Sequence, residues 1–458
     1  MNIVSTHPSL PVLTGSGVFP QAWKNWADDC IPQYVKDEFS PKESWKGKPF
    51  TEVDARFFFK GVEELSMRFT EDRSRDMPGY FSHAKFRSSY LLYFLPLQAA
   101  KALVLLARHH QAWRRIRESV REAVPAAGRK LVFWDLGSGP GTFSQAALMH
   151  LSEIWTKEKP WADSIELHWW DTQSKTMTDG QVLTEKLLGL LPIPEGHAQF
   201  AGGSLPVWNW KEKVRVIRHP DPWWKAIQDP SKPDLILCGH VLNEGSHESV
   251  RRSLPEIFSR AGAGGIFLVE PADRRSSQMV SQVRALILEA AAMNHEGAVP
   301  EIFGPCLHAG ACPLIDGRDW CHFSVPSKIP GKWFAYLSKG LGSEREWLKF
   351  SYVWIGGIST AKAPKAPSVP GDADLRRAIS DPMQNTASGG MLLLLCEPEK
   401  PARVPTFVKR TSAPGGAPSV MRGDLVSLSG RVGPPKKAGA KSSGKKPGFA
   451  GKKKKRSG

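Results

Sequence analysis

A glycine-rich turn between an apolar run and a helical pattern constrains this chain more than any other feature. Residues 135–142 read Asp-Leu-Gly-Ser-Gly-Pro-Gly-Thr. The apolar run Leu131–Leu136 leads into the turn and has the length of a buried strand, whereas Thr142–Trp155 has the pattern of a helix. Glycine permits a tight turn and close ligand approach, and a helix N-terminus offers free N–H groups. The unit therefore predicts a nucleotide-binding loop.

Short apolar runs alternate with helical patterns beyond this loop. Further strands are predicted at 165–170, 214–217, 234–238, 265–270, 348–355, 391–395 and 404–409, and further helices at 177–191, 248–261 and 278–292. Strands and helices that alternate at this spacing form βαβ units, so an α/β fold with a parallel-sheet core is expected.

Composition divides the chain into five parts. They are an N-terminal mainly helical domain (1–127), a Rossmann-like domain (128–296), a Cys-rich loop (297–330), C-terminal strands that complete the sheet or form a small β region (331–430), and a Lys-rich tail (431–458). Only short helices are expected before residue 80. The tail is low in complexity and is expected to be disordered.

The loop's details favour S-adenosylmethionine over a dinucleotide. The glycines follow a G-x-G-x-G spacing instead of G-x-G-x-x-G. Asp135, two residues before the first glycine, would repel a pyrophosphate and suit a cationic sulfonium. The predicted cofactor-binding residues are Asp135, Gly137, Ser138, Gly139, Gly141, Thr142 and Asp171. The domain is therefore expected to be a class I Rossmann-like methyltransferase domain.

Asp171 ends the next predicted strand, 36 residues after Asp135. A carboxylate there can accept hydrogen bonds from both ribose hydroxyls. The alternative is that Asp171 caps the helix that starts near Thr176.

The segment after the fourth strand also lies at the ligand edge of such a sheet. It carries Cys238, His240, Asn243 and Glu244. Cys238 and His240 are interpreted as a core residue and a satisfied polar group. The segment has no acceptor-specific motif, so no catalytic residue is assigned.

A second group of residues points to a metal. Cys306, Cys312 and Cys321 lie within 16 residues. The expected fourth ligand is Cys396, with His308 and His322 as alternatives. Zinc ligands usually lie two to four residues apart, which these cysteines do not, and four thiolates suit an iron–sulfur cluster. The spacing leaves the metal open, and unligated thiols remain the other interpretation.

The charge is concentrated in the tail. The chain carries a net charge of +17, and eleven Lys and Arg residues lie in 431–458 without any acidic residue. Such a tail binds phosphate backbones without reading sequence, or acts as a general solubilising segment. Arg114, Arg115, Arg117 and Arg121 are a second candidate phosphate contact or a solvated helix face. No apolar stretch of 18 residues and no basic N-terminal leader is found, so we expect no membrane span and a bacterial cytoplasmic location.

Taken together, residues from about Ser82 to Val426 resemble the methyltransferase-like protein 17 family of mitochondrial and bacterial small-ribosomal-subunit assembly factors. The matching features are the glycine loop, Asp171, Gly-Pro-Cys306, Cys312-Pro, Trp-Cys321-His-Phe, Lys349-Phe-Ser-Tyr-Val353 and Leu395-Cys396-Glu-Pro. Arg422 stands where this family often has Trp.

The resemblance implies a [4Fe–4S] cluster on Cys306, Cys312, Cys321 and Cys396, and binding to small-subunit rRNA during maturation. It also makes a mitochondrial matrix location the alternative. Two functions follow: an S-adenosylmethionine-dependent rRNA methyltransferase, or a non-catalytic assembly factor that keeps the cofactor pocket. A methyltransferase acting on a protein or a small molecule is the third.

Overall fold

The fold was examined in a computed structural model. It describes residues 2–3, 19–71, 80–122, 128–194, 208–242, 247–294, 300–315, 319–326, 328–342, 347–358, 375–380, 383–384, 391–396, 402–406, 422 and 425–427. Asn243, Glu244 and the Lys-rich tail lie outside these residues.

The N-terminal part is helical, as predicted. Its helices are α1 (Gln21–Asn25), α2 (Ile31–Phe39), α3 (Glu52–Glu71), α4 (Ala84–Ser89), α5 (Leu95–Arg108) and α6 (His110–Glu122), with π-helical turns at Trp26–Cys30 and Tyr90–Phe94. The expectation of only short helices before residue 80 is wrong for α3, which has 20 residues. Its buried positions Ala55, Phe58, Val62 and Leu65 recur every three or four residues and form one apolar face.

One continuous helical segment, Ala84–Arg108, is long and apolar enough to cross a membrane, contrary to the expectation from its composition. Its most apolar 18-residue window is 83% buried inside the protein. Helix α5 packs against helix α7 (Thr142–Trp155) of the sheet domain, so this apolar surface is used in internal packing.

The second part is built around a sheet of eight strands. The strands are β2 (Lys130–Leu136), β3 (Ser164–Trp170), β4 (Val214–His219), β5 (Leu235–Gly239), β6 (Gly265–Glu270), β7 (Ile302–Gly304), β8 (Phe323–Pro326) and β9 (Trp347–Ile355). The order is β4-β3-β2-β5-β6-β9-β7, with β8 on β9. Strands β2 to β6 are parallel, whereas β9 is antiparallel to β6 and β7.

Helices cover both faces of this sheet. Successive side chains of a strand point to opposite faces, so each face carries side chains against which helices pack. Besides α7, these helices are α8 (Ser174–Leu188), α9 (Trp210–Lys213), α10 (His247–Ser259) and α11 (Arg274–Asn294). Helix α12 (Lys332–Gly340) packs instead on α3 and on the two π-helical turns of the N-terminal part. Phe133 and Trp169 belong to the core shared with α5 and α7, whereas Trp134 and Trp170 belong to the core on the other face. The predicted α/β fold is confirmed.

The C-terminal strands divide into two groups. Strand β9 completes the main sheet as predicted. The others form small antiparallel sheets: β10 (Leu375–Arg377) and β1 (Asn2–Ile3) flank β14 (Leu425–Ser427), and β11 (Met383–Gln384) and β13 (Ala402–Thr406) flank β12 (Met391–Leu395). Strand β12 carries the chain to Cys396.

Candidate cofactor site and cysteine cluster

The turn between β2 and α7 depends on its glycines. Gly137, Gly139 and Gly141 have φ angles of 65°, 51° and 70°. A Cβ atom at Gly137 would meet Val241 at 2.3 Å, and one at Gly141 would meet Trp169 at 2.0 Å. Among the described residues, no atom lies within 4 Å of the same position on Gly139. Packing therefore requires the outer two glycines, whereas the middle one faces open space.

Asp171 holds this turn against the end of β3. Its Oδ2 atom accepts a hydrogen bond from the N–H of Gly139 at 2.8 Å, and Oδ1 accepts one from Gln173 at 2.7 Å. Gln173 is the N-cap residue of α8, so Asp171 also orders the start of that helix. Burial raises the pKa of Asp171. Its carboxylate thus lies at the loop and contacts the start of the helix as well, so both the ribose-binding and the helix-capping interpretations stay open.

Asp135 lies deeper than the sequence suggested. Its side chain is 2% exposed, and Oδ2 accepts hydrogen bonds from the backbone N–H and the hydroxyl of Ser144 at 3.0 and 2.7 Å. Burial raises the pKa of Asp135 to about 7. The carboxylate is therefore hydrogen-bonded to the first turn of α7, and it fixes the start of this helix directly after the glycine turn.

Glu270 is a carboxylate at this edge that the sequence analysis missed. It ends β6, is fully buried, and its Oε1 atom accepts hydrogen bonds from the N–H groups of Val241 and Leu242, both at 2.9 Å. Burial raises the pKa of Glu270 to about 8. Because Val241 also contacts Gly137, Glu270 belongs to the shell around the glycine turn. Its position at a strand end was the available signal.

Several buried polar atoms around the turn have no hydrogen-bond partner among the described residues. They are the hydroxyls of Ser138 and Thr142 and the Oε2 atom of Glu270. Ser138 and Thr142 are 4% and 3% exposed. Buried polar atoms are rarely left unsatisfied, because each costs about 1–3 kcal/mol. These atoms are therefore candidate ligand contacts.

The segment after β5 contributes mainly packing. Cys238 is fully buried in the second core, as expected. His240 follows with a left-handed φ of 60°, and its N–H donates to the carbonyl of Val269 at 2.9 Å.

The structure brings the four predicted cysteine ligands into one region. Cys312, Cys321 and Cys396 all pack on the small core of Leu314, Ile379 and Leu394. Burial raises the thiol pKa of Cys306, Cys321 and Cys396, and the other sulfur atoms of the group raise it further. Because the raised pKa values keep these thiols protonated, a metal would have to displace their protons in order to bind.

The two competing histidines lie at different places in this region. The Nε2 atom of His308 is 3.3 Å from the sulfur of Cys396. His322 instead faces Arg422, whose Nη1 atom is 3.1 Å from its Nδ1 atom. His308 thus contacts the cysteine group directly through a ring nitrogen.

The spacing of the thiols differs from that of a single zinc site. Zinc–sulfur bonds of about 2.3 Å in a tetrahedron place sulfur atoms about 3.8 Å apart. Among the described residues, no three of these thiols lie within 4.8 Å of one another.

Buried arginines surround the same thiols. Arg284 is 2% exposed, and its Nη2 atom donates to the carbonyl of His308 at 2.6 Å. Its charge also lowers the pKa of Cys306, against the larger effect of burial. Among the described residues Arg284 has no carboxylate partner. A buried guanidinium that is hydrogen-bonded to the Cys306 side chain favours the ionised thiol, so the region suits an anionic group.

The arginines of α6 largely have partners. Arg117 pairs with Glu158 at 2.7 Å, Arg115 with Glu301 at 3.4 Å, and Arg114 with Glu118 at 3.9 Å. These ion pairs favour the interpretation of an ion-paired helix face over a dedicated phosphate contact.

A sheet in this order, with one antiparallel strand near its edge and a glycine turn after its first parallel strand, defines the fold of class I methyltransferases. Residues 211–427 match the family model described as "Mitochondrial small ribosomal subunit Rsm22". This match includes all four cysteines of the group and begins after the glycine turn. A comparison with curated proteins gives no match.

Solved methyltransferase structures resemble the chain at low identity. The plantazolicin methyltransferase BamL is 11% identical, with 67% of this chain and 99% of that chain covered and a TM-score of 0.31. The precorrin-6y C5,15-methyltransferase of Geobacter metallireducens GS-15 is 11% identical, with 53% and 86% covered and a TM-score of 0.27. The N-methyltransferase NodS of Bradyrhizobium japonicum WM9 is 12% identical, with 55% and 95% covered and a TM-score of 0.26.

Proposed function

We propose that this protein binds S-adenosylmethionine at the glycine turn and acts on the small ribosomal subunit as a methyltransferase or a methyltransferase-like assembly factor. The observation that carries the cofactor proposal is the set of orphaned buried atoms on Ser138, Thr142 and Glu270 around an open turn. A bound nucleoside with an amino-acid group offers donors and acceptors to such atoms.

Each loop residue has a role in this proposal. Gly139 leaves room for the cofactor, and Asp171 accepts hydrogen bonds from the ribose hydroxyls while it keeps the turn in place. Asp135 acts indirectly by fixing α7, whose N-terminus faces the turn. The cofactor supplies an electrophilic methyl group. The protein's contribution is to orient it and to exclude water.

We further propose that Cys306, Cys312, Cys321 and Cys396 hold a [4Fe–4S] cluster. The support is the all-thiol donor set, the gathering of these cysteines in one region and the buried Arg284 beside them. When bound, the cluster would supply a covalent link between distant segments and a one-electron centre. Because the ligands come from the loop after β7 and from the end of β12, it would join the C-terminal strands to the sheet domain.

The small ribosomal subunit is the proposed partner because the description of the matched family names it. The net charge of +17 suits rRNA as the contacted component. That family's description also favours the mitochondrial matrix over the bacterial cytoplasm as the location. A non-catalytic assembly factor remains the second candidate, since the described residues at the ligand edge offer no assigned general base.

Methyl transfer distinguishes the two candidates. Anaerobically purified protein is incubated with S-adenosylmethionine labelled in its methyl group and with immature small subunits. Label in rRNA identifies the enzyme, and subunit binding with cofactor bound but no transfer identifies the assembly factor. Label in protein alone, or no association with subunits, would contradict the small-subunit rRNA proposal.

A further inference from the structure

Three side chains from separate segments converge at the edge of the sheet, away from the cysteines. His168 lies in β3, His219 ends β4, and Asp229 follows the 3-10 turn Trp223–Gln228. The Nδ1 atom of His168 lies 3.2 Å from both the Nε2 atom of His219 and the Oδ2 atom of Asp229. The third distance, from His219 to Asp229, is 3.5 Å.

Protons satisfy this triangle only through one shared hydrogen bond, in which the N–H of His168 points between His219 and Asp229. Each ring nitrogen has a single in-plane site, which either carries a proton or accepts one. If both nitrogens carry protons that point toward Asp229, the two partly positive hydrogen atoms lie close together and repel each other. If His219 donates to His168 instead, the lone pair of His168 is used and Asp229 loses that donor. One cation at the centre would satisfy all three atoms at once.

The distances also match a metal site. Bonds of about 2.0–2.1 Å to zinc in a tetrahedron place the ligand atoms about 3.3–3.4 Å apart. The three observed separations of 3.2, 3.2 and 3.5 Å bracket that value. Among the described residues, this is the one group of three ligand atoms that lie within 4.8 Å of one another.

Neighbouring groups orient all three side chains. The other oxygen of Asp229 accepts the N–H of Ser231 at 2.8 Å, and the ring of Trp170 stacks on His219 with centroids 3.9 Å apart. The Nε2 atom of His168 faces the Glu166 carboxylate at 3.6 Å. A carboxylate behind a ligating histidine is a common outer-shell arrangement in metal sites.

We propose that His168, His219 and Asp229 bind a divalent ion of the Zn²⁺ type and leave a fourth position for water. His168 and Asp229 have side chains only 7% and 6% exposed, whereas His219 is 22% exposed and gives access from solvent. The ion would tie strands β3 and β4 to the turn before Asp229. The proposal does not depend on the cofactor or the iron–sulfur cluster.

The first test is a titration of the full-length, metal-depleted protein with Co²⁺ alone, followed by Zn²⁺. We expect the tetrahedral cobalt bands of a nitrogen and oxygen site in addition to any thiolate charge-transfer bands from the cysteine group, and the loss of these bands when zinc displaces the cobalt. X-ray absorption of the zinc form should show nitrogen and oxygen ligands besides any sulfur ligands. A spectrum with thiolate bands only, or no binding, would overturn the proposal without any variant.

Variants locate the site. His219→Ala and the near-isosteric Asp229→Asn should weaken zinc binding more than about 100-fold, and Glu166→Gln about tenfold, in line with outer-shell effects. The exposed His110→Ala is the matched control and should bind as the unmodified protein does. Equal affinity in Asp229→Asn and His110→Ala would show that the triangle is only a hydrogen-bonded contact.

Discussion

The carboxylate of Asp171 is hydrogen-bonded to the N–H of Gly139 at 2.8 Å, so the end of one strand sets the position of the turn after another. The carbonyl of Trp170 also accepts hydrogen bonds from the N–H groups of Gly137 and Ser138, at 2.8 and 3.2 Å. The turn is therefore held in shape by β3 before any ligand arrives. Preorganisation of this kind lowers the cost of binding.

Asp171→Asn should loosen this turn. The amide keeps one acceptor but presents an NH₂ group to one of two backbone N–H donors, so we expect a loss of about 1–3 kcal/mol in the free energy of unfolding. Urea denaturation measures it. Asp221→Asn, which alters an exposed pair with Lys225, is the control and should change stability by less than about 0.5 kcal/mol.

Gly141→Ala should be more harmful than Gly139→Ala. Both residues have left-handed φ angles, which cost a non-glycine residue about 1–2 kcal/mol. Only the Cβ atom at Gly141 would collide with Trp169, and overpacking adds about 1–3 kcal/mol. Equal unfolding midpoints for the two variants would contradict the packing described for the turn.

Glu270 should make stability depend on pH. Its folded pKa of about 8 lies above its ordinary 4.5, so between these values the folded state keeps a proton that the unfolded chain has released. The free energy of unfolding therefore falls as pH rises through this window. Urea midpoints measured from about pH 5 to about pH 8 should change less in Glu270→Gln, while Asp135 keeps part of the slope.

The control for that experiment is Glu256→Gln, which changes an exposed glutamate on α10. Its pH dependence should follow that of the unmodified protein. If Glu270→Gln shows the same slope as Glu256→Gln, then Glu270 is ionised in the folded protein.

Cys306→Ser should remove iron from protein that is purified without oxygen. The unmodified protein is expected to carry about four iron atoms per chain and matching acid-labile sulfide, which chemical analysis quantifies. Cys30→Ser is the control, because Cys30 lies in the N-terminal helical part away from the group. Colourless protein with one zinc atom bound to these thiols would contradict the cluster.

Local sequence patterns predicted the parts of the fold that depend on neighbouring residues. The helix Thr142–Trp155 and the strand Gly265–Glu270 have the predicted bounds, since a glycine turn and a short apolar run mark them. Helix α3 was missed because its apolar positions are separated by charged residues, although Thr51 and Asp54 form a capping box at its start, where Asp54 accepts a hydrogen bond from the N–H of Thr51 at 2.7 Å.

Contacts between distant segments were beyond the sequence patterns. Asp135 bonds to Ser144 because α7 folds back against the strand that precedes it. His168, His219 and Asp229 meet because β3 and β4 are neighbours in the sheet, and this order of strands cannot be read from the sequence. Glu270 looked like an ordinary strand end. Each depends on which strands become neighbours, and spacing along the chain does not contain that information.

The most direct test of the account is calorimetric titration of S-adenosylmethionine into the full-length protein and two glycine variants. Gly139 and Gly47 both have left-handed φ angles, and in the described part of the chain no atom lies within 4 Å of a Cβ atom added to either. Of the two, Gly139 lies in the glycine turn. We predict binding of one molecule to the unmodified protein and to Gly47→Ala, and a loss of at least about tenfold in affinity in Gly139→Ala, equivalent to about 1.4 kcal/mol. No heat with the unmodified protein, or equal binding by both variants, would contradict the account.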